Sequence, residues 1–287
     1  METISTAFYE RYLLVIAGFA GLLYGVDVGI ISVALPFIGK TIPLSMAQTS
    51  IVVYAVLGGS MVSSLGAGIL ADWLRRKSVM LSSGALFLVS VFLIASSSHF
   101  LSLFLGRLLQ GISGDVIGVV VPLFLAETLN ASTRGRRSAV FQLMLTFGIL
   151  MAAWIGWHYT QQATFAIAAA GGNATAITAA EDHAWRKMFL SVAYPRAIFF
   201  IGCFFLSETP RWLLNQKRQW DALQSLRRSL ADQEAHRQLE EIQTALAASS
   251  QRSFDRDSLF QRRYVSGLQH SDRAAWRVYA FHLHLPN

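Results

Sequence analysis

Three ionisable residues sit where the surrounding sequence leaves little room for charge. Asp27 lies within an apolar run that begins near Tyr12, and Arg107 and Asp115 lie within another that begins near Leu101. A charge at the centre of a membrane span costs about 2.5–3.5 kcal/mol on insertion scales, so such residues face a partner or an aqueous cavity. If the two runs cross a bilayer in opposite directions, Asp27, about fifteen residues in, and Arg107, about six residues in, reach similar depths at a rise of about 1.5 Å per residue. The spacing therefore predicts an ion pair. Burial opposes ionisation of a carboxyl and a neighbouring guanidinium favours it, and a carboxyl held between these two effects is suited to take up and release a proton. The competing reading is a static structural pair.

Gln142, one turn into a later apolar run, offers donors and an acceptor that suit a hydroxyl-rich ligand, and equally suit a helix-packing amide. Gly18, Gly21, Gly25 and Gly29, and Gly106, Gly111, Gly114 and Gly118, recur every turn or two, as close helix packing or a thin cavity wall would require. A further set consists of Gly68, Asp72, Arg75 and Arg76 after the second run, Glu127 and Arg134 after the fourth, and Glu208 and Arg211 after the sixth. Together they bring opposite charges to one membrane face, either as interfacial anchors or as a salt-bridge network that breaks when that face opens.

The elements that must position these residues follow from composition. The chain of 287 residues is 53% hydrophobic and 14% charged, with a mean hydropathy of +0.43, against roughly 25% charged residues in a soluble domain. A helix needs roughly 20 mostly apolar residues to cross a bilayer. Six runs qualify, at about Tyr12 to Pro36, Ser50 to Ala71, Ser78 to Ser97, Leu101 to Ala126, Ala139 to Tyr159 and Met188 to Leu206. They are apolar all round rather than alternating, which predicts helices and not barrel strands. The start of the chain lacks a cleavable signal pattern, so the first run reads as a retained span. Arg75, Arg76 and Lys77, then Arg134, Arg136 and Arg137, then Arg211, Lys217 and Arg218 follow alternate runs. The positive-inside rule then predicts that these loops, the amino terminus and the segment after the sixth run are cytoplasmic. The Ala/Gly/Thr-rich stretch from Gln161 to Ala180 reads as an outer loop, with a glycosylation-type triplet at Asn173-Ala174-Thr175.

Residues 1–213 thus form an all-α membrane domain of six helices. From 214 to 250, Trp220, Leu223, Leu226, Leu230, Leu239, Ile242 and Leu246 recur near helical spacing and predict a pair of amphipathic cytoplasmic helices. From 251 to 287 an irregular tail follows, with His270, His282 and His284 read as solvated. Gly25-Val26-Asp27-Val28-Gly29 is echoed by Gly114-Asp115-Val116-Ile117-Gly118, which fits either two three-helix repeats of inverted topology or chance. The net charge of +7 gathers at span ends and in the polar tail, pointing to a lipid bilayer rather than nucleic acid. The one cysteine, Cys203, excludes an intrachain disulfide. No nucleophile elbow, phosphate loop or paired metal-ligand histidines stand in the sequence, so neither an enzyme, a metal site nor a cofactor is expected.

Several separate motifs together resemble the sugar porters of the major facilitator superfamily. Gly68 to Lys77 resembles the loop between helices two and three, with Leu74 where a glycine is usual. Arg107 to Gly135 resembles the fourth-helix signature, keeping Arg107, Gly111, Pro122, Glu127, Arg134 and Gly135, while Ser113 and Asp115 replace glycines and Asn130 a proline. Ser207-Glu208-Thr209-Pro210-Arg211-Trp212-Leu213 is similar to the motif closing the sixth helix, and Trp185-Arg186 to the pair opening it.

The resemblance implies a 3+3 inverted-repeat half bundle and a small sugar as substrate. It implies that Asp27 and Arg107 are the proton-coupling pair of a symporter working by alternating access. It also places Gln142 and Tyr24 at sugar-binding positions, with Ile149 where some members carry a second glutamine. Such transporters have twelve helices, with substrate between two six-helix halves, so a second half is an expected partner and this half alone is expected to be inactive. Ser258 to Tyr264 resembles the approach to a seventh helix, and the apolar run expected after it does not follow, which predicts truncation or a change of reading frame near Gly267. The alternative function is a non-transporting sugar sensor or interaction subunit.

Overall fold

A computed structural model describes residues 2–128 and 134–254, and every regular element among them is a helix. Six are long and apolar enough to cross a membrane: α1 (Glu2–Thr41), α2 (Met46–Trp73), α3 (Arg76–Ala95), α4 (Phe100–Thr128), α5 (Arg134–Ala169) and α6 (Ala174–Phe204). The protein is a multi-pass membrane protein. Three further helices follow, α7 (Pro210–Asn215), α8 (Gln219–Arg227) and α9 (Asp232–Phe254). The residues up to Leu239 form one compact unit, and of the second, Glu240–Asn287, the structure describes the last part of α9. The tail expectations, including Ser258 to Tyr264, Gly267 and the three histidines, lie outside the described residues.

Four of the sequence-based spans fall inside these helices, the third and sixth overrun theirs by two residues because α3 stops at Ala95 and α6 at Phe204, and a larger correction concerns the outer loop. Gln161 to Ala180 is not a loop: α5 runs on to Ala169 and α6 begins at Ala174. Alanine is the strongest helix former, so a stretch this rich in it continues the helices beyond the apolar core. The chain reverses within the few residues between, where Gly171 and Gly172 take φ of 56° and 88°. Such values suit glycine. Asn173 then caps α6, its side-chain oxygen accepting from the backbone N–H of Thr175 and Ala176. At the start of α2, Ser45 and Gln48 form a reciprocal capping box.

The bundle has an internal symmetry. α1 packs along α5 as α4 packs along α2, and α1 meets α6 as α4 meets α3. Exchanging α1–α3 for α4–α6 interchanges these principal contacts, as two inverted three-helix repeats require. The seams agree in detail. A Cβ on Gly25 would stand 1.9 Å from the Leu145 carbonyl oxygen, and one on Gly111 2.1 Å from that of Val56. Likewise Gly148 would meet the Leu22 oxygen at 2.1 Å and Gly59 the Leu108 oxygen at 2.4 Å. Structurally, Gly25 corresponds to Gly111. The motif echo pairs it with Gly114 instead, one helical turn out of register.

Because the obstructing atoms are backbone, relief at these seams requires a helix to move. Gly25→Ala is expected to cost about 1–3 kcal/mol, read as a lower midpoint of thermal unfolding in detergent. Gly39→Ala, in the same helix with nothing near its Cβ position, is expected to be neutral or slightly stabilising.

Two apolar clusters fill the bundle, one around Leu13, Leu23, Phe124 and Phe199 and the other around Ile30, Phe87, Trp185 and Phe189. A third, with Leu213, Leu226 and Leu239, lies among α7, α8 and α9; the expected amphipathic pair corresponds to α8 and α9, and α7 precedes it.

Candidate functional site: a buried charge cluster and a basic end

The centre of the bundle lies where α1 crosses α4. Asp27 is 3% exposed and Arg107 1%, yet no ion pair joins them. Gln110, fully buried one turn beyond Arg107, stands between: its Nε2 donates to Asp27 Oδ1, and its Oε1 accepts from Arg107 at 2.6 Å. The expected direct pair is thus corrected to an amide-bridged one. The signal was available in the sequence, since residues three apart share a helix face and a buried amide there satisfies both charges. The carboxylate can approach α4 because Gly114 is bare, with Asp27 Oδ2 3.2 Å from the position of its missing Cβ.

A third charge joins from α6. Arg196 follows Pro195 in an apolar stretch, is 1% exposed, and stacks its guanidinium 3.5 Å over the Phe87 ring. None of its three guanidinium nitrogens has a hydrogen-bond partner. The reasoning that singles out Arg107, an arginine inside an apolar run, applies to Arg196 equally.

Tyr24 is half-buried, its ring 3.2 Å from the Cβ position of Gly118. Asp115, also half-buried, accepts from Ser63 of α2 at 2.8 Å. Gln142 is exposed on α5. The seam contacts of Gly21 with Phe141 and Gly25 with Leu145 put Tyr24 and Gln142 at the same level of the α1/α5 pair, although no hydrogen bond joins them.

At the basic end, Arg76 and Glu127 form a buried fork, Arg76 Nε to Oε2 at 3.3 Å and its terminal nitrogen to Oε1 at 3.1 Å. This ties the first turn of α3 to the last of α4. Arg75 stacks over Trp212 at 5.2 Å. Arg211 is exposed and Gly68 faces open space. The side chains of Asp72 and Arg134 lie outside the described residues. A cavity of about 340 Å³ lies here among Arg75, Glu208, Arg218, Asp221 and Arg228.

Glu208 is held above its ordinary value by burial, with Arg75 pulling the other way, and its Oε2 is buried without a hydrogen bond. The folded state therefore keeps this proton to higher pH than the unfolded chain does, so stability falls as pH rises from the ordinary glutamate value through the raised one. Glu208→Gln is expected to flatten that fall, measured as unfolding midpoint against pH.

The family described as "Sugar (and other) transporter" matches residues 13–277. The chain is 32% identical over 241 residues to the glucose transporter GlcP of Staphylococcus epidermidis, covering 84% of this chain and 50% of the relative. It is 32% identical over 257 residues to the galactose-proton symporter of Escherichia coli, covering 88% of this chain and 51% of the relative. It spans about half the length of the curated relatives it matches. Its fold superposes on the proton:xylose symporter XylE with a TM-score of 0.74 at 20% identity, covering 85% of this chain and 54% of that one. Six membrane helices in an inverted repeat, a carboxylate buried at their centre and a match across the bundle agree on one conclusion: the chain belongs to the sugar porter family of the major facilitator superfamily.

Proposed function

We propose that these six helices form one half of a proton-coupled sugar transporter that works by alternating access. Asp27 is its proton site, linked through Gln110 to Arg107, and Tyr24 and Gln142 contact the sugar. The observation that carries this reading is a carboxylate buried inside the six-helix bundle and hydrogen-bonded to a neutral amide rather than neutralised by a direct guanidinium contact. Such a carboxylate can gain and lose a proton without breaking a salt bridge. Two relatives support the substrates, a glucose transporter and a galactose-proton symporter.

Alternating access rocks two halves about a central site, so the path requires a second six-helix half beside this one, whether further along the same protein or in another chain. Residues 1–213 constitute this half, residues 214–250 lie on the cytoplasmic side, and the amino terminus lies there too, since the arginine-bearing loops gather at one end. The fork of Arg76 and Glu127, with Arg75, Glu208 and Arg211 beside it and Gly68, Asp72 and Arg134 on the same loops, serves as the cytoplasmic gate network.

The test is uptake of labelled glucose, galactose and xylose by cells lacking their own carriers and expressing the six helices with a second half. Uptake that collapses on addition of an uncoupler is the expected result, and uptake indifferent to the proton gradient rejects coupling. Gln142→Ala is expected to weaken sugar binding by about 3- to 10-fold, the loss of one or two hydrogen bonds, with helix content unchanged. Unaltered affinity would make Gln142 a packing amide.

A further inference from the structure

Arg196 is unused by the reading above. A guanidinium withdrawn from water without hydrogen bonds is among the most costly groups a fold can hold, and here all three nitrogens are in that condition. Geometry limits its counter-charge. The α1/α6 interface is pinned near one end by Tyr12 donating to the Gly202 carbonyl at 2.5 Å, and near the other by Trp185 donating to Thr41 at 2.9 Å. Along the stretch between these pins α1 carries one acidic residue, Asp27, and α6 carries Arg186 and Lys187 beside Trp185 and, deeper in the helix, the fully buried Arg196. Arg107 lies over Phe189 at 5.7 Å, two turns from Arg196 along α6, so both guanidinium groups stand on the same side of that helix. The Asp27 charge reaches Arg196 as well as Arg107.

The other groups facing Asp27 do not alter this balance. From α4 come Arg107 and the half-buried Asp115, which Ser63 holds toward α2. On α1 itself there is the Tyr24 phenol. Between Ala139 and Trp157, α5 carries no charged residue. The fully buried set is thus one carboxylate and two guanidinium groups.

We propose that Arg196 is a second positioning cation for the Asp27 carboxylate, one that acts from the sixth helix to favour the ionised form and so drives release of the coupled proton. While Asp27 is protonated, two buried cations face no buried anion. When the proton passes from the carboxyl to water its electron pair stays on the carboxylate, which then offsets both. This inference rests on the coupling reading of Asp27.

The test is infrared spectroscopy of the 287-residue chain in lipid vesicles, following the protonated-carboxyl band that Asp27→Asn removes. Arg196→Gln and Arg196→Met, the latter keeping an apolar side chain against Phe87, are expected to let that band persist to a pH higher by about one or more. Arg196→Lys is expected to stay near the wild-type midpoint. Neutral variants that titrate with wild type overturn the role of Arg196 and leave the coupling reading intact, whereas the lack of any band dependent on Asp27 overturns both. Thermal unfolding gives a second reading that does not depend on the single arginine variants folding. With Asp27→Asn in place, Arg196→Met is expected to raise the midpoint, because it removes a cation that has lost its counter-charge. A lower midpoint in the double variant than in Asp27→Asn alone also overturns the proposal.

Discussion

Asp27→Asn is expected to abolish accumulation of sugar against its gradient while leaving exchange of labelled for unlabelled sugar in place, in a transporter that contains these six helices and a second half. Asparagine keeps the size of the side chain and an oxygen that can accept from Gln110, so the bridge to Arg107 can survive. What it removes is the exchangeable proton. Accumulation driven by a proton gradient scales with the gradient only if each sugar moves with a proton, whereas exchange needs the rocking motion alone. The loss is therefore expected to be complete for uphill uptake and small for exchange. Uphill uptake that survives the substitution would remove Asp27 from coupling, and loss of exchange as well would assign it to sugar binding or to folding.

The second large effect is expected at the opposite extreme of mechanism, in stability. Glu127→Ala leaves Arg76, whose side chain is 6% exposed, without the fork that compensates it. Removing one member of a buried pair costs about 3–5 kcal/mol. Replacing both members together, as Arg76→Met with Glu127→Leu, is expected to recover most of that loss, since a packed apolar pair of similar volume avoids the desolvation of both ions. Thermal unfolding in detergent reads both variants. A double variant as unstable as Glu127→Ala would show that the fork is needed for its charges and not only for their mutual compensation. If the fork is also a gate, the apolar pair should fold well and transport poorly, which separates the two roles.

How much of this was legible in the sequence depends on what each feature owes to local pattern. The six spans were legible because a bilayer imposes length and polarity on each helix independently. The extension of α5 to Ala169 and the early start of α6 at Ala174 were not, because alanine counts weakly on a hydropathy argument and strongly on helix propensity. Asn173 illustrates the same conflict: its triplet suggests a surface modification, and its side chain is occupied as a cap. Asp27 and Arg107 were legible from the cost of burying charge. Gln110 was overlooked because an amide carries no such penalty, although its spacing from Arg107 placed it on the required face. Arg196 was legible by the same cost, an arginine inside an apolar run, and its burial over Phe87 sets it with the other two charges. The repeat was visible in outline, and its register was not. A motif echo follows the aspartates of α1 and α4, whereas the symmetry of the bundle follows the glycines at its seams.

Those seams restrict how the half can deform. With carbonyl oxygens lodged against Gly25 and Gly148 on one side, and against Gly59 and Gly111 on the other, α1 can neither slide along nor roll over α5, nor α2 over α4. Each pair is thereby locked backbone to backbone, whereas the direct contact between α1 and α4 is sparser. The carboxylate of Asp27 and the amide of Gln110 sit at that sparser crossing, so any change in the angle between the two locked pairs would act first on the distance between these two polar groups.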